Sequence, residues 1–293
     1  MQPLEIFATI GAAYRDVWAS RRDLFLLAYV PTLAAAFAQL AILGPYIPTL
    51  RRVMQARPTA DTDPAAMAAL QADLATAMTV MLVYGLVWIV CGVIFAVAWY
   101  RRTLLQGEQP TVAASLAWRG RHWRFLGRVV QLGLIGMLVI WVGGVLVATI
   151  GGAVLTAAGG GGGAALFALV LWMATALVVM RLAMVFPATA IDVPCNLPRS
   201  WRMTRGRAGA LFIIVLAAVL PMLVLQLTFE LNLAIALGPD TLYETLPLFF
   251  AVSLGQQAIA FIGWALLASA LSIVWRTLGG ETGGGVAVPV PRE

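Results

Sequence analysis

The feature that most constrains the fold is a set of long intervals that contain no charged side chain. The intervals cover residues 24–50, 74–100, 129–180, 208–229 and 245–275. An α-helix needs about 20 apolar residues to cross the hydrocarbon core of a membrane, which is roughly 30 Å thick. Every interval reaches that length. Only 11% of the 293 residues are charged, against about 25% in a soluble domain. The sequence therefore predicts an all-α membrane protein.

The third interval is too long for one span and contains five consecutive glycines at 159–163. Glycine disfavours helix interiors and supports turns, so this run predicts a tight hairpin between two spans. The total is six transmembrane helices. Their approximate bounds are 23–44, 77–100, 127–157, 164–186, 209–233 and 248–275. They form a single transmembrane domain over 1–276, with an outer loop over 45–76 and a flexible tail over 277–293.

The outer loop contains one helical segment. Residues 64–76 are rich in alanine, Asp63 is a suitable N-cap, and Pro64 fits the first turn of a helix. The sequence therefore predicts a short outer helix that leads into the second span.

The distribution of arginine predicts the orientation of the spans. All 19 basic residues are arginine, and only Arg51, Arg52 and Arg57 fall on the side away from the N-terminus when six spans alternate. Basic residues mark the cytoplasmic side of a membrane, so we expect both termini in the cytoplasm. The N-terminal sequence MQPLEIF lacks the basic region and short apolar core of a cleaved signal peptide. These features are typical of a multi-pass protein of the bacterial inner membrane.

Three segments that precede a pair of spans resemble one another. Their sequences are PLEIFATIGAAYRDVWASRRDLF at 3–25, PTVAASLAWRGRHWRF at 110–125 and PRSWRMTRGRAGALF at 198–212. Each has a proline near its start, a tryptophan, a group of arginines and a phenylalanine at the mouth of a span. We predict three pseudo-repeats, each an interfacial amphipathic elbow helix followed by a transmembrane hairpin. The alternative is chance convergence on an amphipathic helix before a span.

Apolar and aromatic residues favour an interfacial position for these segments. In the first segment the apolar residues recur at helical steps of three and four, namely Leu4, Phe7, Gly11, Tyr14 and Trp18. Tryptophan favours the headgroup region because its ring is apolar and its N–H needs a partner. Six of the ten tryptophans fall at predicted cytoplasmic edges: Trp18, Trp99, Trp118, Trp123, Trp201 and Trp275.

The arginines of the three segments are candidate contacts for anionic phospholipids or for a protein partner. They are Arg21, Arg22, Arg119, Arg121, Arg124, Arg199, Arg202, Arg205 and Arg207. Each near-surface arginine contributes roughly 1 kcal/mol to attraction by an anionic leaflet. The net charge of +6 therefore indicates a lipid surface and not nucleic acid. One hypothesis is that the groups at 21–22, 119–128 and 199–207 converge on one basic cytoplasmic platform.

Six residues are candidate polar or structural positions within the membrane: Arg181, Asp192, Gln256, Gln257, Pro31 and Pro221. A charge inside a span is a functional hypothesis by default. Three interpretations of Arg181 stay open, namely snorkelling to the surface, an ion pair with Asp192 or Glu108, and ligand binding. The two glutamines indicate either hydrogen bonds between helices or a polar path. The two prolines indicate kinks.

The sequence contains none of the common motifs of enzyme chemistry. There is no GxSxG, HExxH or P-loop, and the single histidine, His122, lies between Arg121 and Trp123. Cys91 and Cys195 have neither the spacing of a CxxC pair nor that of a metal site. We therefore predict no enzymatic activity, no cofactor and no metal.

The stretch VVMRLAMVFPATAIDVPCNLPRSWRMTRGRAGALF, residues 178–212, resembles the hallmark of a bacterial family. The matching elements are Arg181–Leu182, Pro187, Asp192, Ser200–Trp201 and Thr204–Arg205–Gly206. The family comprises uncharacterised six-helix integral membrane proteins related to the glycerophosphoryl diester phosphodiesterase membrane domain. The resemblance covers about 178–235 and implies six helices with cytoplasmic termini. It implies no activity, because the phosphodiesterase chemistry of fused relatives belongs to a separate soluble barrel of about 250 residues.

Three functional hypotheses follow from these patterns. The preferred one is a non-enzymatic lipid-interacting or partner-scaffold module with a basic cytoplasmic face. The alternative is a transporter or lipid-handling protein with an intramembrane cavity between the repeats, lined by Gln256 and Gln257. The third is an intramembrane enzyme, for which the residues are missing. A tightly packed bundle favours the first hypothesis and a lipid-filled cavity favours the second. A protein partner or a homo-oligomer stays open.

Overall fold

The computed structural model of the protein describes residues 5–56, 63–105, 111–146, 161–241 and 246–279. All regular elements in these ranges are helical. In chain order they are α1 (Ile6–Ala19), α2 (Arg21–Ala38), α3 (Ile47–Gln55), α4 (Pro64–Leu104), α5 (Val112–Leu116), α6 (Gly120–Leu146), α7 (Gly161–Leu182), α8 (Val185–Ala190), α9 (Leu197–Met203), α10 (Ala208–Thr241) and α11 (Leu246–Thr277).

Within the described ranges, six helical segments are long and apolar enough to cross a membrane, which agrees with the predicted number. They are Arg21–Val53, Pro64–Leu104, Gly120–Val145, Leu169–Ala190, Ala208–Leu233 and Leu246–Thr277. In the first of them, a π-helical turn and a 3-10 turn join α2 to α3. The protein is thus an all-helical, multi-pass membrane protein by fold class.

The helix bounds differ from the predicted span bounds at two positions near glycines. The third predicted span begins at 127, but α6 already begins at Gly120. The predicted turn at 159–163 lies partly outside the described residues, and its last three glycines form the first turn of α7. A helix N-terminus tolerates glycine better than a helix interior does, because its first N–H groups lack intrahelical partners in any case. The predicted tail at 277–293 lies outside the described residues beyond Gly279.

The predicted outer helix is present and is continuous with the second span. Together they form α4, whose 41 residues extend about 60 Å at 1.5 Å per residue. The Asp63 carboxylate accepts a hydrogen bond from the Ala65 N–H at 3.3 Å, so the predicted N-cap is confirmed. Helix α3 packs on the first part of α4. There Arg52 forms two hydrogen bonds with Asp73, of 2.8 and 3.1 Å.

Helices α11 and α4 form the centre of the bundle. Helix α11 packs against α1, α2, α4, α8 and α10. In its most apolar stretch of 18 residues 61% is buried, whereas the corresponding stretch of α6 is 11% buried. Small residues allow this central position. A Cβ added at Gly92 would lie 2.7 Å from a ring carbon of Trp264, so glycine permits α4 and α11 to approach closely.

Two of the tryptophans that were predicted at a headgroup edge are instead in the core. Trp99 and Trp275 are fully buried, and the Trp99 indole N–H donates to the Ser269 hydroxyl at 2.9 Å. Both lie on the central helices, where protein surrounds the ring. Trp18 and Trp123 are 74% and 64% exposed, in agreement with their predicted position outside the core.

Short helices precede α2, α6 and α10, but they differ in length and packing. Helix α1 has 14 residues, α5 has five and α9 has seven. Only α1 packs along both α10 and α11, where the Tyr14 hydroxyl donates to the Ala217 carbonyl at 3.1 Å. In the second segment the short helix α5 covers only Val112–Leu116, and residues from Gly120 onward already belong to α6.

The two intramembrane prolines lie inside continuous helices. Pro31 is buried within α2, and Pro221 is exposed within α10. Both helices continue through the proline, so a kink at either position stays a prediction.

Candidate functional site

One end of the bundle collects most of the described arginines, and we call it the basic end. It comprises the starts of α2, α6 and α10 and the ends of α4, α7 and α11, together with α1, α9 and residues 191–196. Contacts join these termini to one another. The Thr103 and Ser272 hydroxyls lie 3.0 Å apart, and the Arg276 guanidinium donates to the Thr103 carbonyl.

Arg102 joins four helices on the α1 side of the basic end. Its guanidinium donates to Asp23 at 2.9 Å and to Asp16 at 3.2 Å, and also to the Ser20 hydroxyl. Asp16 in turn accepts from the Ser269 hydroxyl of α11 at 2.7 Å. The Arg102 side chain is 15% exposed. Two carboxylates thus compensate one largely buried cation, which pins α1 and α2 to α4 and α11.

The Arg102 network is not evident from the sequence. Arg102 lies next to Arg101 directly after the uncharged interval 74–100, a position typical of arginines whose charge reaches the membrane surface. Asp16 lies in α1 and Asp23 in α2. Their shared partner could not be identified from the sequence, since Arg102 lies 86 residues after Asp16 and 79 residues after Asp23.

Asp192 is the second centre of charge at the basic end. Its carboxylate lies 2.7 Å from the Arg124 guanidinium, 3.8 Å from that of Arg101 and 3.9 Å from that of Arg121. Its backbone has φ of 62°, a conformation that only short polar residues other than glycine adopt readily. Among the described residues, one carboxylate therefore lies within 4 Å of three guanidinium groups.

Among the described residues Asp192 pairs with Arg124, Arg101 and Arg121 and not with Arg181; Glu108, the other partner considered for Arg181, lies outside the described residues. The Arg181 guanidinium lies over the Trp201 ring, 3.5 Å from its centroid, and donates to the Trp201 carbonyl at 3.1 Å. The Arg181 carbonyl accepts from the hydroxyls of Ser200 and Thr204, at 2.8 and 3.2 Å. The residues of the SW…TRG pattern thus hold α9 against the end of α7.

The nine candidate arginines occupy two sides of the basic end. Six of them are exposed: Arg21, Arg22, Arg119, Arg124, Arg202 and Arg205. The other three, Arg121, Arg199 and Arg207, are partly buried. The second and third groups meet at residues 191–196, where Arg199 donates to the Pro194 carbonyl at 2.8 Å. Arg21 and Arg22 lie at the α1–α2 corner, and the adjacent Arg101 and Arg102 of α4 bridge the two sides.

A cleft of about 440 Å³ opens between α6 and the segment that follows α8. Its lining residues are Arg124, Gly127, Arg128, Gln131, Thr189, Asp192, Val193, Pro194 and Cys195. Arg128 donates to the Gln131 side-chain oxygen at 2.7 Å and to the Cys195 carbonyl at 3.4 Å. Burial raises the pKa of the Cys195 thiol, and the nearby Arg199 and Arg128 oppose that rise only in part. The thiol is therefore protonated and only weakly nucleophilic at neutral pH.

Arg128 and the cleft are not evident from the sequence. Arg128 belongs to the arginine group at 119–128 but is not one of the nine candidate arginines. Its distinguishing property is that it lies one turn after Arg124 on the same helix face. That spacing was visible in the sequence, whereas the wall formed by residues 189–195 was not.

The intramembrane glutamines belong to a hydrogen-bonded network near the opposite end of the bundle. The Gln257 amide donates to Gln39 at 2.8 Å and to the Tyr84 hydroxyl at 2.7 Å, and its oxygen accepts from the Trp88 indole at 3.0 Å. Gln39 donates to Gln256 at 3.2 Å. We call this set the amide network; it joins the π-helical turn after α2, where Gln39 lies, to α4 and α11.

The amide network continues to α10 through Glu230. Its carboxylate accepts from Gln256 and from Gln226, both at 3.3 Å. Four helices are therefore linked by side-chain hydrogen bonds at one level. The predicted bonding between helices is present, and Gln257 itself is buried.

Within the part of the chain that the structure describes, no group of three His, Cys, Asp or Glu residues could hold a metal ion. His122 is buried, stacks on Trp118 with ring centroids 5.3 Å apart, and accepts the Arg119 N–H at 3.0 Å. It therefore caps the start of α6 and has no described nucleophile beside it.

The fold and the site define a class of protein, namely an all-helical multi-pass membrane protein with one arginine-rich end. No protein-family model matches the chain, and neither a curated protein nor a solved structure matches it.

Proposed function

We propose that this is a non-enzymatic protein of the bacterial inner membrane that binds anionic phospholipids through its basic end and acts there as a lipid-interacting scaffold. The observation that supports this proposal is the surplus of guanidinium over carboxylate at that end. Asp192 is shared by Arg124, Arg101 and Arg121. Outside this cluster Arg202 and Arg205 are exposed, and phosphate oxygens are the natural partners of exposed guanidinium groups.

Aromatic residues support the same interpretation. The Arg21 guanidinium lies 5.9 Å from the centroid of the Trp18 ring, and Trp123 is exposed directly beside Arg124. Arginine next to exposed tryptophan is the composition of a headgroup interface, where the ring meets acyl chains and the charge meets phosphate.

The orientation is part of the proposal. The basic end faces the cytoplasm, because arginine-rich loops are retained on that side. Both termini are then cytoplasmic, and Arg52 with Asp73 lies on the outer side. Reaction with an impermeant thiol reagent, at a cysteine introduced at Arg51 or at Gly279, tests this orientation in intact cells.

The three-repeat arrangement and the family relationship are also proposals. A short helix precedes each of α2, α6 and α10, which supports three units of elbow helix and hairpin that diverged in length. One unit supports a relationship with the six-helix proteins that are related to the glycerophosphoryl diester phosphodiesterase membrane domain. There Arg181, Ser200, Trp201 and Thr204 form a single set of contacts.

The alternative function, a transporter or lipid-handling protein, has less support. It requires the glutamines to line a cavity, whereas Gln257 is buried and bonded to Gln39, Tyr84 and Trp88. Amide groups that satisfy one another across helices stabilise the bundle and offer few free donors to a passing solute.

Native mass spectrometry of the protein in nanodiscs tests the proposed function. The variant is R202E/R205E, and the discs contain phosphatidylglycerol diluted in phosphatidylcholine. Each reversal removes an attraction of about 1 kcal/mol and adds a repulsion. We therefore expect retained phosphatidylglycerol to fall at least tenfold, and retained phosphatidylcholine to stay unchanged.

The matched control is R51E, which makes a charge change of the same kind near the opposite end. We expect it to keep the wild-type amount of phosphatidylglycerol. Equal retention by wild type and R202E/R205E would overturn the proposal.

A further inference from the structure

We propose that the cleft between α6 and residues 189–195 binds the phosphate of one anionic phospholipid, whose acyl chains lie along the exposed face of α6. The inference rests on the proposed function and assigns it a defined site. The exposed arginines give a diffuse attraction, whereas the cleft holds one molecule. Its volume of about 440 Å³ falls in the range of about 300–1,000 Å³ typical of small-molecule sites.

Two guanidinium groups face the same cleft. Arg124 and Arg128 are four residues apart on α6, so their side chains are neighbours on one helix face. Like charges at this spacing repel each other, and an anion bound between them removes the repulsion. Guanidinium forks match the oxygens of a phosphate and form paired charge-assisted hydrogen bonds with it.

Arg128 lacks a carboxylate partner among the described residues. It donates only to the neutral oxygens of Gln131 and Cys195. A partly buried cation bonded only to neutral groups is costly unless an anion compensates it. Arg128 is therefore the residue on which the site depends.

Asp192 does not cancel this charge. Its carboxylate lies within 4 Å of Arg101 and Arg121 as well as Arg124. If Arg124 turns from Asp192 toward a phosphate, Asp192 keeps two cationic neighbours. The Arg124–Asp192 pair can therefore open when the ligand binds, without leaving a carboxylate uncompensated.

The surface next to the cleft favours a lipid over free phosphate. Along α6, residues 124, 128, 131, 134, 138 and 141 follow one another at steps of three or four, which places them on one side of the helix. Leu134, Leu138 and Trp141 are 59%, 59% and 67% exposed. The opposite side packs on α7, where Gly136 lies against Thr175 and Val179. An exposed apolar surface on α6 thus extends from a phosphate at Arg128 along the helix into the membrane.

The first test compares R128Q with R51Q in the same nanodisc experiment. Both variants remove one positive charge, but Arg51 lies near the opposite end of the bundle, outside the cleft and outside the basic end. We expect R128Q to lose phosphatidylglycerol about tenfold, and R51Q to stay within about twofold of wild type. R128K is expected to recover part of the binding because it restores the charge without the fork.

The second test distinguishes the two sources of phosphate. Gly127 lines the cleft, is exposed and has open space for a side chain, so alkylation of a cysteine introduced there reports occupancy; peptide mass spectrometry separates it from the buried Cys91 and Cys195. In detergent micelles we expect phosphatidylglycerol to slow the reaction at least fivefold in G127C and not in G127C/R128Q. Millimolar inorganic phosphate is expected to leave the rate unchanged. Equal protection by inorganic phosphate would overturn the lipid assignment, and protection by neither would overturn the site.

The two proposals fail in different ways. If R128Q keeps the wild-type amount of lipid while R202E/R205E loses it, the cleft is wrong and the basic end still binds lipid. If both variants keep it, both proposals are wrong. An unchanged unfolding temperature of R128Q shows that any loss is not a loss of fold.

Discussion

The basic end and the amide network both hold helices together, but they do so with different chemistry. Each joins several helices through polar side chains in a chain that is 61% hydrophobic. At the basic end, Arg102 is held by Asp16 and Asp23. In the amide network, neutral groups such as Gln257 and Gln39 bond to one another. Full charges occur where side chains can reach water or headgroups, and neutral amides occur where they cannot, because an unpaired charge in hydrocarbon costs far more than an unpaired amide.

The largest expected effect is at Arg102, where charge makes removal of one partner costly. R102Q leaves Asp16 and Asp23 close together and without their cation. Loss of one partner from a buried ion pair costs about 3–5 kcal/mol. Because these carboxylates are about one-third exposed, we expect a destabilisation of about 2–3 kcal/mol.

Chemical unfolding in mixed micelles measures this difference, with R22Q as the control of equal charge. R22Q removes an exposed cation, and we expect its free energy of unfolding to stay within about 0.5 kcal/mol of wild type. Equal stability of R102Q and R22Q would mean that the charged junction does not hold the helices together.

A smaller effect is expected in the amide network. Q257L keeps the side-chain size but removes the partners of Gln39, Tyr84 and Trp88. Hydrogen bonds between membrane helices contribute about 0.6 kcal/mol each on average, so we expect a loss of about 1–2 kcal/mol in the same assay. A loss larger than that of R102Q would reverse the comparison between the two regions.

The number of spans and the arginine-rich end were predictable from the sequence, because both depend on local composition. Which helices pack at the centre of the bundle was not predictable. Helices α10 and α11 both appear as apolar runs, yet α11 is central and α10 faces outward. The available signal was the series of small residues in α11, among them Ala265, Ala268 and Ser269, which permits close packing. The burial of Trp99 and Trp275 follows from that central position.

The side-chain partners of the arginines in the candidate site also could not be predicted from the sequence. Arg101, Arg102, Arg124 and Arg181 are equivalent as residues near the ends of spans, yet each has a different environment. Arg102 meets two carboxylates, Arg124 shares Asp192, and Arg181 stacks on Trp201. These differences depend on helix rotation and on the path of residues 191–204. The pattern of charge along the chain shows neither the rotation of a helix nor the path of a loop.

The contact of Arg181 with Trp201 is intermediate between the two regions, because it pairs a charge with a neutral ring. A double-mutant cycle with R181M and W201L isolates the pair. We expect a coupling free energy of about 1 kcal/mol, the magnitude of a partly desolvated cation–π contact. A coupling near zero would show that the Ser200 and Thr204 bonds to the Arg181 carbonyl hold α9 in place without help from the ring.

The smallest effect is expected at Glu230, where the two chemistries meet. Its carboxylate is the one charged member linked to the amide network, yet it is exposed and accepts from Gln226 and Gln256. E230Q removes the charge and keeps an oxygen that can accept the same bonds, so we expect a change below about 0.5 kcal/mol in the free energy of unfolding. E230L, which removes the acceptors as well, should cost more than E230Q. If E230Q is as destabilising as Q257L, the amide network depends on charge. The distinction between the charged basic end and the neutral amide network would then be wrong.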